Sequence, residues 1–134
     1  MTTVPRFLFR RALAEFVGTG LLLAAVIGSG IAAQRLSPQD PGLELLENAA
    51  ATAAALVAII LAVGPVSGAH LNPVVTLADW WLGGISGRDG LVYGGAQVAG
   101  GIVGAIAANA CFRCQPSRSL LRRAGAPAFG SEKS

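Results

Sequence analysis

Charge is scarce in this sequence. Only 13% of its 134 residues are Asp, Glu, Lys or Arg, against about 25% in an ordinary soluble domain. There is one His, one Tyr and one Met, and there are two Cys. A lone His with no neighbouring nucleophile and no partner ligands leaves no catalytic constellation and no metal set, so neither an enzyme nor a resident cofactor is expected. Cys111 and Cys114 form a single C-x-x-C. Without a second pair it is a weak metal signal, and no βαβ pattern supports a redox role, which leaves two incidental thiols as the plainer reading. Aromatics make up 6% of the chain. They do not interleave with a basic face, so the net charge of +3 does not indicate a nucleic-acid partner.

Apolar and small residues fill the space left by the missing charge. The chain is 53% hydrophobic with 18 Gly, and its mean hydropathy is +0.60. Small residues at this density suit closely packed membrane helices, with lipid as the surrounding partner. Three apolar runs are long enough to span a bilayer, at about 12–34, 48–66 and 91–111. A basic arm, residues 1–11, precedes the first. That run is longer than the apolar core of a signal peptide, so a retained span is expected. Glu15 lies near its start. A carboxylate there either snorkels to water or turns inward to accept hydrogen bonds from non-helical backbone. Residues 34–47 read as a polar connector and 83–90 as a flexible loop. The third run carries Gly100 and Gly104 in a G-x-x-x-G spacing, which suits a close-packing face. Residues 112–134 read as a basic, disordered tail.

Between the second and third runs stands Ser67-Gly68-Ala69-His70-Leu71-Asn72-Pro73-Val74-Val75-Thr76. Asn is a good N-cap and Pro a good first helical residue, so a helix is expected to start here. Ser67, Gly68 and Ala69 are small enough for backbones to approach closely. The apolar stretch that follows, about 72–83, is too short to cross a bilayer. A half-helix that dips into the membrane leaves backbone polar groups at membrane depth. That is tolerated only against protein or a water-filled cavity.

SGAHLNPVVTLADW resembles the first signature loop of the major intrinsic protein family, the aquaporins and glycerol-type channels. Ala14-Glu15-Phe16-Val17-Gly18-Thr19 resembles that family's opening A-E-F-x-G-T, and Tyr93 to Gly100 its Y-x-x-A-Q-x-x-G. The resemblance covers roughly residues 10–111. It implies an all-α membrane protein with three transmembrane helices plus one re-entrant half-helix, half of the aquaporin-like inverted-repeat fold. It implies a passive channel, not an enzyme. By position, Asn72 and Pro73 would form the pore centre, with Asn72 pointing its amide into the pore and the half-helix terminus adding partial positive charge. His70 would contribute to the pore wall through its loop backbone. Glu15 and Gln97 would brace the loop by hydrogen bonds to its backbone, and Gly68, Gly100 and Gly104 would allow close packing. Thr52 stands where water-selective members carry a large aromatic, which implies a wider pore for glycerol, metalloid acids or similar neutral solutes. Val74 replaces the family's Ala and is expected to narrow or repack the midplane contact.

The family has two such repeats, and only the first is found here. A half-channel would need a second half, supplied by a complementary chain or by a homo-oligomer in which another copy is inverted. A non-conducting fragment and a small membrane-embedded interaction subunit are the alternatives. The family's cytoplasmic N-terminus, in a plasma or inner membrane, suits Arg6, Arg10, Arg11 and Arg88. The same topology puts Arg35, Arg113, Arg118, Arg122, Arg123 and Lys133 outside, against the positive-inside rule. The expectation drawn from that conflict is a tail foreign to the family, of frameshift origin.

Overall fold

The computed structural model describes residues 4–113, and every regular element among them is helical. Helix α1 spans Val4–Leu36, α2 Pro41–Ser67, α3 Pro73–Trp81 and α4 Gly87–Arg113. Helices α1, α2 and α4 are each long and apolar enough to cross a membrane. Helix α3 has nine residues, a length of about 14 Å at 1.5 Å per residue. That is about half the thickness of a bilayer's hydrocarbon core.

The helices extend past the apolar runs that announce them. Helix α1 already includes Val4, so the described part of the expected arm is helical. The connector expected over 34–47 shrinks to residues 37–40, because Asp40 caps α2 and Pro41 starts it seven residues before the apolar run begins. Its Oδ1 accepts from Leu43 N at 3.0 Å, and Pro41 occupies the first helical position. Helix α4 likewise starts at Gly87 inside the expected loop, where Ser86 Oγ accepts from Asp89 N at 3.1 Å. Hydropathy marks the part of a helix that lipid covers, whereas caps mark where the helix ends. The half-helix is shorter than expected, since Asn72 is its N-cap and Leu82 its C-cap. Phe112 still belongs to α4, while Cys114 and residues 114–134 lie outside the described residues.

Helix α1 is the centre of the fold, with its backbone packed against both α2 and α4. Helix α2 runs antiparallel to it. Ser29 Oγ meets Asn48 Oδ1 at 2.7 Å near one end, and Ser67 Oγ donates to Glu15 at 2.6 Å near the other. Helix α4 runs parallel to α1, from an Arg11–Asp89 pair at 3.7 Å to an Arg35 bond to the Phe112 carbonyl at 2.9 Å. The α1–α4 crossing is held close by glycine. A Cβ on Gly100 would collide with the Phe16 carbonyl and one on Gly104 with the Gly20 carbonyl. Both obstacles are backbone and cannot swing aside.

Helix α3 lies along the first half of α4. Trp80 stands near Gly87, and Thr76 bonds Gln97 further along. The half-helix therefore starts in the interior and runs back towards the end where α1 and α4 begin.

Candidate functional site

The site is built on the turn that reverses the chain between α2 and α3. Helix α2 ends on Gly68 at φ +92°, with its N–H bonded to the Gly64 carbonyl at 2.9 Å. Left-handed backbone of this kind is cheap only for glycine. A Cβ at Gly68 would meet nothing closer than the His70 ring at 3.7 Å. Gly68 is thus required for its conformation, not for the close packing expected of it. Ala69 and Leu71 also adopt φ +53°, which costs each roughly 1–2 kcal/mol. Three left-handed residues in four aim the His70 and Leu71 N–H groups at a single acceptor.

That acceptor is Glu15, whose side chain turns inward and is fully buried. Its Oε1 accepts from Ser67 Oγ at 2.6 Å and His70 N at 3.0 Å. Its Oε2 accepts from Leu71 N at 2.6 Å and Gln97 Nε2 at 2.8 Å. Two donors per oxygen is the full complement of a carboxylate. Membrane-depth N–H groups that no helix satisfies thus find their partner within the protein.

Gln97, at 1% exposure, plays a different part from the one expected. Its amide does not reach the loop backbone. It donates to Glu15 and, at 2.9 Å, to Thr76 Oγ1. Tyr93, one turn earlier on α4 and completely buried, donates from its hydroxyl to the Ser67 carbonyl at 2.8 Å. Its ring stands edge-on to His70 with centroids 5.4 Å apart, and the Arg11 guanidinium lies 5.1 Å over it. Thr76 and Tyr93 had no assigned role in the sequence reading. Their spacings do hint at one, because Thr76 follows Asn72 by four residues and Tyr93 precedes Gln97 by four, and residues four apart share a helix face.

Asn72 begins α3 with extended backbone, and its Oδ1 accepts from Val74 N at 2.8 Å. Its Nδ2 makes no hydrogen bond among the described residues, and the residue is exposed. Asn72 and Pro73 open onto a groove of about 500 Å³, walled by Thr19, Leu22 and Leu23 of α1 and by Gly101, Ile102 and Ala105 of α4. Those wall residues lie near the middle of the two membrane-length stretches, Phe7–Leu36 and Gly87–Phe112. The α3 N-terminus, with its partial positive charge, is therefore at about mid-membrane depth. Val74, in the first turn of α3, is 70% exposed. His70 gives its backbone N–H to Glu15, and its ring lies between Thr76 and Asp79. Thr52 is not brought to this cluster. It is half-buried on α2, about 22 Å along that helix from Ser67. No group of His, Cys, Asp and Glu able to hold a metal occurs among the described residues.

Comparison with known proteins matches the major intrinsic protein family model to residues 2–130. The match runs past Cys111 and through most of the tail, so the family likeness extends beyond residues 10–111. An aquaglyceroporin of Rhizobium meliloti is 45% identical over 126 residues, covering 93% of this chain and 54% of the relative. A glycerol uptake facilitator protein of Pseudomonas aeruginosa is 43% identical over 94 residues, covering 69% and 32%. A propanediol uptake facilitator of Citrobacter freundii is 40% identical over 98 residues, covering 73% and 35%. The chain thus spans between about a third and a half of the length of these relatives. Its three apolar helices and its half-helix are the elements of an integral membrane protein, and the chain belongs to the major intrinsic protein family.

Proposed function

We propose that this chain supplies one wall of a passive membrane pore for small neutral solutes, of the glycerol or metalloid-acid type in preference to strict water. The observation that carries the reading is the uncommitted amide of Asn72 at the start of a half-helix. The amide can donate to a passing water or alcohol oxygen, while the positive end of the helix disfavours cations, protons included. The printed names of the relatives, an aquaglyceroporin and two uptake facilitators for glycerol and propanediol, support the choice of solute. So does Thr52, which is small where water-selective members carry an aromatic.

The wall needs a cover, because non-helical backbone at this depth cannot face lipid. A complementary half or a second copy in a homo-oligomer would provide it. Val74 at 70% exposure favours a second reading, a membrane-embedded subunit that binds a partner and conducts nothing.

Stopped-flow light scattering on vesicles containing only this polypeptide separates the two. The channel reading expects glycerol permeability above that of empty vesicles. It also expects Asn72→Asp to abolish that excess. Asp keeps the capping oxygen, so the unfolding free energy should change by less than about 1 kcal/mol. Permeability equal to empty vesicles would rule out conduction by this chain alone.

A further inference from the structure

One hydroxyl in the site has more partners within reach than it has protons. Thr76 is 3% exposed. Around its Oγ1 stand Gln97 Nε2 at 2.9 Å, His70 Nδ1 at 3.1 Å, the Asn72 carbonyl at 3.2 Å and Gln97 Oε1 at 3.3 Å. A hydroxyl donates once. Where that proton goes decides the chemical form of the only histidine in the chain.

Glu15 fixes the orientation of the Gln97 amide. Its Oε2 lies 2.8 Å from the Gln97 amide nitrogen. The reverse orientation of the amide would set oxygen against carboxylate oxygen, so the nitrogen faces Glu15. The second proton of that nitrogen goes to Thr76 Oγ1, which is therefore an acceptor towards Gln97. The Asn72 carbonyl takes the Thr76 N–H at 3.0 Å and keeps a second lone pair, but it lies 3.2 Å from Oγ1, against 3.1 Å for His70 Nδ1. His70 Nδ1 has no other partner among the described residues.

The far side of the ring breaks the remaining tie. His70 Nε2 lies 3.6 Å from Asp79 Oδ2. A bare nitrogen there would set a lone pair against a carboxylate, whereas an N–H is attracted to it.

We propose that Thr76 is a positioning residue. It gives its proton to His70 Nδ1 and, with Asp79, fixes the ring as the Nε2–H tautomer. Hydrogen bonds then link Glu15 to Asp79: Gln97 donates both to Glu15 and to Thr76, Thr76 donates to His70, and His70 turns its N–H to Asp79. The carboxylate that holds the loop backbone thereby also orients the His70 ring. Both ring nitrogens are engaged, one accepting and one facing Asp79 with its proton, so the ring offers no free acceptor to a cation beside Asn72. That last consequence rests on the pore reading, but the tautomer does not.

The test is nitrogen-15 and carbon-13 NMR of the full chain labelled at histidine. One His gives one ring system, and its couplings report which nitrogen carries the proton in the neutral ring. The expected result is Nε2–H in the unmodified chain and in Thr76→Ser, with a mixture of tautomers in Thr76→Val. An Nδ1–H tautomer in the unmodified chain would overturn the assignment whatever the variants do. So would a Thr76→Val spectrum identical to that of the unmodified chain. Neither outcome depends on whether the chain conducts.

Discussion

At the residue scale the site depends on Glu15. Its four hydrogen bonds come from α2, the loop and α4, so one side chain of α1 closes the structure around the turn. A Gln at this position keeps the volume but replaces one accepting oxygen with a donor. Two of the four buried donors then lose their partner, at about 1–3 kcal/mol each. Glu15→Gln should lower unfolding free energy in detergent by about 2–6 kcal/mol, read from a denaturation curve. An unchanged midpoint would show that the carboxylate is not what holds the loop. Glu15 also marks a limit of the sequence. Position alone leaves a snorkelling and an inward carboxylate equally open, because both place an acidic residue near the start of an apolar run. The choice is made by Ser67 and Gln97, residues 52 and 82 positions away.

At the element scale the decisive feature is the crossing of α1 and α4. Gly100 and Gly104 were legible as a close-packing pair, but their partners, the Phe16 and Gly20 carbonyls, were not. Nothing in α1 alone tells which of its carbonyls a second helix will approach. Gly104→Val would drive two methyl groups into backbone. It should destabilise the fold by about 1–3 kcal/mol. Gly95, on the same helix, has nothing within 4 Å of where its Cβ would stand. Gly95→Ala should therefore be neutral or stabilising by up to about 1 kcal/mol. Thermal melts of the two variants side by side check the contrast, and equal losses would mean that the crossing is not glycine-limited. Helix ends were the least legible part. Polar residues such as Asp40 and Ser86 can end one element or cap the next, and a short loop between two capped helices looks like a long polar connector.

At the scale of the whole molecule, basic residues are denser at one end than at the other. Arg10, Arg11 and Arg88 belong to the end where α1 and α4 begin and α3 returns. Asp79 and Asp89 lie at that end too, while the other end, where α2 begins, has Asp40, Glu44 and Glu47 with only Arg35 and Arg113 among the described residues. For the described residues this bias predicts a cytoplasmic N-terminus. A fluorescent protein fused ahead of Met1 should fluoresce in cells, and a Cys placed at Gln39 should react with a membrane-impermeant reagent added outside. Labelling of position 39 only after lysis would invert the orientation.

The sequence by itself determined the class of this protein and the existence of its half-helix. Low charge, three long apolar runs and an Asn-Pro start are local properties, and a bilayer reads them locally. The three spaced motifs supplied the family. Only the tertiary structure decided what the motif residues do. It made Gly68 a left-handed cap, set Gln97 between Glu15 and Thr76 instead of on the loop, left Val74 uncovered and kept Thr52 apart. Each of those outcomes depends on which helix lies next to which, and at what depth. Hydrogen bonds between α1, the loop and α4 join residues far apart in the chain, so no window of sequence contains them.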